Sequence, residues 1–376
     1  MSLPSHRLAM LLLLVVLLAG CSERTLESPV TLEGDIFGTY YQVTLADPIT
    51  AERRAALEDG ILAELESVDA AMSTYRDDAE LVAFNQAPVG KWQTLSAPLI
   101  EVLSIAHRVG EASGGAFDVT VGGLVNLWSF GPEARPREVP EDALIEQRLA
   151  EVGMDTLEID ADQRRARRLK DVFVDLSGVA KGHATDRVAA YLAAQGIENY
   201  LVNIGGELAV AGHRDGEADP WRIGIEVPRD GRPQAQHVLP LHATSVATSG
   251  DYRNYFEEDG HRYSHTIDPR TGRPIQHRLA SVTVVDASNA RADAWATAMS
   301  VLGEDEGMAL AREHDLAVLV LVRNEAGDGW MSLASPAFAA RFGHDRLEEM
   351  GIEVADGAAG NVAASDVAAE APEALE

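Results

Sequence analysis

Cysteine is almost absent from this sequence: Cys21 is the only one in 376 residues. A single thiol cannot form a disulfide within one chain, and zinc sites built on paired cysteines are excluded with it. No H-E-x-x-H segment occurs, which removes the helical zinc-hydrolase pattern. There is no G-x-S-x-G elbow for a serine hydrolase and no G-x-x-x-x-G-K-[ST] loop for a P-loop nucleotide site. Lysine is nearly missing as well, with only Lys91, Lys170 and Lys181 against 28 arginines. Sixty acidic residues face 31 basic ones, for a formal net charge of −29. That balance argues against nucleic acid as a partner. The longest apolar run, Leu8 to Leu18, falls short of the ~20 residues a membrane-spanning helix needs.

What is present begins with that run. Arg7 precedes it and Ala19-Gly20-Cys21 follows, the layout of a secretory signal peptide. "LLAGC" resembles a bacterial lipobox, which implies cleavage before Cys21 and lipidation of its thiol. The expected organisation is a signal peptide over 1–20, a tether over 21–30 and one folded domain over 31–349. A disordered acidic tail is expected over 350–376, where Ala, Gly and acids run without aromatics. The protein would then be exported and held by lipid at the periplasmic face of the inner or outer membrane. Ser22 is compatible with outer-membrane sorting.

Periodicity divides the domain. "IFGTYYQVTL" alternates as a strand. Leu57, Ile61, Leu65, Val68 and Met72 form one helical stripe after Thr50, and Leu99, Val102, Leu103, Ala106 and Val109 form a second. "PEDALIEQRLAEVG" is punctuated as a short helix between Pro140 and Gly153. Strands are predicted at "DTLEID" and "VFVDL", and a helix from about 182 to 195. Beyond it the chain is strand-rich: "YLVNIGGELAVAG", "WRIGIEVP", "HVLPLHATSVATSG", "RYSHTI", "LASVTVVDA" and "LAVLVLV". A helix is predicted over about 290–302. The strand-after-strand order lacks the βαβ alternation of a Rossmann domain. We therefore expect an α+β fold with a mixed, largely antiparallel sheet flanked by helices.

Four segments could carry chemistry. Asp293 and Thr297 are four apart in a helix and share a face, so they offer two hard oxygens of the kind Mg²⁺ accepts. An acid in a first helical turn is also favoured by the helix dipole alone, and spacing does not choose between the two. "SGVAKGHATD" (177–186) sets Lys181 at a Gly-flanked helix start, where backbone N–H groups and an ammonium suit a phosphate. "MSTY" and "GGAFDVTVGGLVNLWSFG" mix aromatic and small residues with Asp118. Tyr75 or Phe117 could stack on a flat heterocycle or pack in a core. His265, on a strand beside the "DPRTG" turn, is either a general base or a hydrogen-bonded strand histidine.

Taken in order, "MSTY" (72–75), "GAFDVTVGGLVNLW" (115–128), "DLSGVAKGHATD" (175–186), "NIGGEL" (203–208), "ATSGDY" (247–252), "YSHTIDPRTGRP" (263–274) and "ADAWATAMSVLG" (292–303) resemble the ApbE family, the FAD:protein FMN transferases. The resemblance implies Mg²⁺-dependent transfer of FMN from FAD to a threonine hydroxyl of another protein, with AMP released. It implies Mg²⁺ ligation by Asp293, Thr297 and the main-chain oxygens of Ala296 and Gly178. It implies FAD contacts at Phe37, Tyr75, Ala116, Phe117, Asp118, Asp175, Lys181 and Ile267, with His265 and Asp293 as catalytic residues. The chain has Phe37 where the family often has methionine, Gly123 for proline, Ser129 for glycine and His183 for tyrosine. Implied partners are flavoprotein targets such as membrane redox subunits of sodium-pumping NADH:quinone reductase or Rnf-type complexes. An Mg²⁺-dependent FAD pyrophosphatase and a non-catalytic flavin-binding lipoprotein are the alternatives.

Overall fold

The computed structural model describes residues 25–355, apart from 134, 216–217, 228–233, 251–253 and 327–328. The expected signal peptide, the expected lipidation site Cys21 and residues 356–376 lie outside the described residues.

A nine-stranded sheet carries the fold. Its order is Val30–Ile36, Thr39–Leu45, Tyr200–Ile204, Glu207–Ala211, Thr244–Gly250, Leu279–Asp286, Ala317–Arg323, Trp330–Ala334 and Ile352–Val354. Every neighbouring pair is antiparallel except the last, which is parallel. The α+β expectation, with a largely antiparallel sheet flanked by helices, matches this architecture.

Alternation decides which face each strand buries. In Thr39–Leu45 the side chains of Tyr41, Val43 and Leu45 point inward. The central strand Leu279–Asp286 is buried on both faces over its first seven residues, as a near-continuous apolar run should be. Val282, Val284, Val318 and Val320 join one core beneath the helices Ala51–Met72, Ala97–Ala112, Ala180–Ala194 and Asn289–Glu313. Val246, Val285, Leu319 and Leu321 join a second core on the opposite face. That face is covered by the hairpin Trp221–Glu226/Ala235–Leu241 and by the short helices Pro336–Phe342 and His344–Glu349. Each fully buried Val or Leu contributes about 1.5–3 kcal/mol, so the sheet is stabilised from both sides.

Several expectations are corrected. The strand "IFGTYYQVTL" is a hairpin, because Phe37 (φ 53°) and Gly38 (φ 71°) make a two-residue turn that pairs Ile36 with Thr39. "VFVDL" is not a ladder strand. Val172, Val174 and Leu176 are buried as the alternation requires. Its backbone is claimed elsewhere: the Asn85 side chain brackets both the N–H and the C=O of Val174, and Asp175 N–H donates to Val119 O. The helix expected to end near Leu302 runs to Glu313, broken at Gly303 (φ 80°, ψ −178°). The tail does not begin at 350, since Ile352–Val354 pairs with Ser332–Ala334. Nor is the stretch to residue 30 all tether. Leu26 N–H donates to Ile49 O, and Ser28 Oγ to Ala46 O.

One contact places the site. The first turn of Ala180–Ala194 lies against the first turn of Asn289–Glu313, with Gly182 at the crossing. A Cβ on Gly182 would stand 2.5 Å from Asn289 O and 2.8 Å from Ala290 Cα. Asp186, one turn on, accepts the N–H groups of Asn289 (2.7 Å) and Ala290 (3.0 Å) and the Ser288 hydroxyl (2.8 Å). It thus caps a helix other than its own. Asn289 Nδ2 donates to Leu208 O and Val246 O, tying the same junction to two sheet strands.

Gly182→Ala tests this crossing. Alanine gains about 1 kcal/mol of helix propensity, but the clash is with another helix's backbone, which no rotamer relieves, and overpacking costs about 1–3 kcal/mol. A Cβ only 2.5 Å from a backbone oxygen puts the cost at the upper end of that range, so we expect a net loss of roughly 1–2 kcal/mol, read from the urea midpoint at unchanged slope. Unchanged or raised stability would contradict so close a crossing.

Candidate active site

A cavity of about 570 Å³ opens where the sheet's strand ends meet the two helix starts. That size suits a small-molecule or cofactor site. The residues singled out from the sequence are distributed around it. Lys181, Asp293, Thr297 and Gly178 form its floor, His265 and Ile267 one wall, and Ala116, Phe117, Asp118, Asp175 and Tyr75 line it too. Two do not line it. Phe37 sits in the hairpin turn and packs against the edge of the main core. Its left-handed φ is a demand of that turn. Ala296 is fully buried, one residue before Thr297 in the long helix.

The charged centre is a cation between two carboxylates. Lys181 Nζ donates to Glu207 Oε1 at 2.5 Å and stands 3.8 Å from Asp293 Oδ1. Asp293 Oδ2 accepts the Gly182 N–H at 3.0 Å. Burial pushes the Lys181 ammonium pKa down, but Asp293 and Glu207 beside it more than offset this, and it is raised. Burial raises both acids. Repulsion from Asp293 adds to the effect on Glu207, against the pull of Lys181, and Glu207 reaches about 7. Asp293 is raised by burial against the pull of Lys181 and the Gly182 N–H.

The helix start was expected to offer its amides to an anion. Two are already taken, Ala180 N–H by Leu176 O and Gly182 N–H by Asp293. The anion-facing role therefore falls to the Lys181 side chain. Thr297 follows Asp293 by one turn, as the spacing predicts, with Oγ1 3.5 Å from Ser249 Oγ. Gly178 closes against it: a Cβ there would lie 3.1 Å from Thr297 Oγ1 and 3.0 Å from the Phe117 ring. A side chain at 178 would crowd both the hydroxyl and the ring.

These groups fit a hard divalent cation. One carboxylate, one hydroxyl and nearby carbonyls are the few oxygens Mg²⁺ takes from protein when phosphates and water supply the rest. Among the described residues no cluster of three or more His, Cys, Asp or Glu could hold a metal by itself.

Across the cavity, His265 Nδ1 lies 3.1 Å from Asn254 O. A carbonyl only accepts, so Nδ1 carries the proton and the basic lone pair belongs to Nε2. Asp175 Oδ1 accepts the N–H and hydroxyl of Ser177, and Asp118 Oδ1 those of Thr120. Both acids thereby hold their own loops in shape. Burial raises the Asp118 pKa, with the Thr120 bonds opposing. Phe117 is 4% exposed, a core residue that is also cavity wall, whereas Tyr75 is 70% exposed at the mouth. Two residues of the junction were not foreseen, Glu207 and the capping Asp186. The signal for Glu207 was an acid on an otherwise apolar strand, after two glycines in positive-φ conformations.

The family model described as the ApbE family matches residues 37–320. The FAD:protein FMN transferase of Vibrio cholerae is 45% identical over 326 residues, 86% of this chain and 95% of that protein. The Escherichia coli K12 protein of the same name is 38% identical over 310 residues, 82% and 87% respectively. Among solved structures, the flavin transferase ApbE from Vibrio cholerae superposes with a TM-score of 0.76 at 42% identity, covering 84% of this chain and 99% of that one. The apo flavinyl transferase ApbE of Pseudomonas stutzeri gives 0.75 at 37%, covering 84% and 97%.

His183 faces away from this chemistry. It is buried, its Nε2 has no hydrogen-bond partner, and burial, with Arg187 nearby, lowers its pKa from 6.5 to about 4. The folded state therefore prefers the neutral ring. This stability is present above pH 6.5 and is lost as pH falls towards 4, where only the unfolded chain takes the proton. The full loss is about 3 kcal/mol. His183→Phe should flatten that part of the stability–pH curve in urea titrations between pH 7 and 4. A wild-type slope retained in the variant would refute the assignment.

Proposed function

The chain belongs to the ApbE family and is a flavin transferase of the FAD:protein FMN transferase class, and we propose that it works with Mg²⁺ and delivers FMN to a threonine hydroxyl of its target. One observation carries this reading: Lys181, Asp293 and Thr297, from two helices, converge on one cavity with His265 opposite.

The diphosphate of FAD is the ligand that answers this floor. In a protein of net charge −29, an anion needs positive charge where it binds; Lys181 supplies part of it, and because Glu207 and Asp293 flank the ammonium a bound cation would have to supply the rest. Asp293, Thr297 and Gly178 line the cavity and would hold Mg²⁺, with the carbonyl of Ala296, which does not line it, as the further ligand the family resemblance implies; the cation would supply charge neutralisation for the phosphates. Phe117 and Tyr75 give the flavin an apolar wall and an exposed aromatic face. The acceptor hydroxyl oxygen forms a bond to the FMN phosphorus. The bond from that phosphorus to the oxygen bridging it to adenylate breaks, and AMP leaves with the electron pair. His265 takes the hydroxyl proton at Nε2. The chain's contribution is positioning and charge, with no covalent intermediate of its own.

We further propose that the protein is exported and lipid-anchored through Cys21. The apolar run Leu8–Leu18 and the "LLAGC" junction support this, as a short leader rather than a span. No helix among the described residues is long and apolar enough to cross a membrane. Membrane redox subunits, held at the same surface, are the proposed targets.

Asp293→Ala should lower Mg²⁺-dependent flavinylation of a threonine peptide by at least about a hundredfold, the scale on which transition-state charge stabilisation is lost. In-gel flavin fluorescence and peptide mass report it. Full activity of the variant in EDTA would remove the cation from the mechanism. Free FMN with AMP, and no labelled peptide from the wild type, would make the protein a pyrophosphatase.

A further inference from the structure

Glu207 is buried at 2% exposure and lines the cavity floor, yet the proposed transfer assigns it nothing. Its Oε1 holds the Lys181 ammonium at 2.5 Å, and the backbone N–H of Thr248 also favours the ionised carboxylate. Across from it, Asp293 has one committed oxygen and one open one. Oδ2 is taken by the Gly182 N–H, while Oδ1 faces the ammonium at 3.8 Å, beyond hydrogen-bond reach. A lysine between two carboxylates could bond to either. Here it is drawn to Glu207, and Asp293 Oδ1 is left for something else.

We propose that Glu207 is a positioning residue that retains the Lys181 ammonium and so keeps Asp293 Oδ1 available to the divalent cation. Two positive groups cannot share one carboxylate oxygen without repulsion, so the site needs a second acid to separate them. The backbone supports the arrangement. Gly205 (φ 59°) and Gly206 (φ 105°) turn the chain tightly before Glu207, and the Gly206 N–H is fixed by Asn203 Oδ1 at 3.0 Å. Leu208 O is held by Asn289, at the start of the helix that carries Asp293. The spacer and the carboxylate it protects are therefore braced against one another. The inference rests on the reading of Asp293 as a cation ligand.

The test uses Glu207→Gln in the full chain, because the amide is isosteric and a weaker acceptor for ammonium than a carboxylate. Mn²⁺ titrated into flavin-free protein and followed by electron paramagnetic resonance is expected to bind roughly tenfold more weakly, equivalent to about 1.4 kcal/mol. The Glu207→Gln/Lys181→Met double variant should return to within about threefold of wild type, since no ammonium then competes. A crystal structure of metal-free Glu207→Gln should show Lys181 Nζ within hydrogen-bond distance of Asp293 Oδ1. An ammonium that stays away from Asp293 overturns the proposal, even if affinity falls through lost charge alone. A double variant as weak as the single one overturns it too, and makes Glu207 a ligand in its own right. Asp293→Ala binding Mn²⁺ as tightly as wild type would instead sink the cation reading beneath it.

Discussion

The close crossing of two helix starts is the constraint on which the site depends. Gly182 has no side chain, so the backbone of its helix can reach the backbone at Asn289 and Ala290. Three bonds reinforce the approach from the acceptor side, all to Asp186. A fourth runs across it, from the Gly182 amide to Asp293. The result brings a lysine from one helix and an acid from the other within 4 Å. Asn289 then joins the crossing to two central strands, so that the cavity floor is tied directly to the sheet.

Electrostatics explains why that floor needs lysine rather than one of the abundant arginines. The ammonium is a compact point charge with rotatable donors, whereas guanidinium is a planar fork that suits bidentate pairing. A pocket with two buried acids and an incoming diphosphate calls for a charge that can be shared among several oxygens at different angles. The arginines do their work elsewhere. Arg165 and Arg167 pair with Asp160 and Glu158 and lie over Trp92, and Arg76 gathers Glu66, Asp69 and Asp78.

Much of this was legible before any coordinates. The helical stripes of Leu57–Met72 and Leu99–Val109 are buried as their period requires, because a 3.6-residue repeat leaves an amphipathic helix only one face to cover. The pair Asp293 and Thr297 shares the cavity for the same reason. Other assignments failed where local pattern and backbone bonding part company. "VFVDL" alternates like a strand, but the main-chain groups of Val174 are claimed by an asparagine 89 positions earlier in the chain, and among the described residues only an isolated bridge forms, between Phe173 and Val121. Phe37 is a residue whose setting the pattern did not show, since its left-handed backbone belongs to the hairpin turn and it does not line the cavity.

The sequence by itself determined the kinds of group available: one lysine among glycines, an acid and a hydroxyl one helical turn apart, a histidine expected on a strand that lies instead in the bend between His261–Ser264 and Ile267–Asp268, and a charge balance that turns away polyanions. It did so because residue chemistry and short-range periodicity are local properties. Only the tertiary structure decided which of these groups meet. The 2.5 Å pairing of Lys181 with Glu207 and the capping of one helix by Asp186 of another join segments 26 and about a hundred residues apart. No local signal encodes such distances, since they are set by how a nine-stranded sheet and its covering helices pack together.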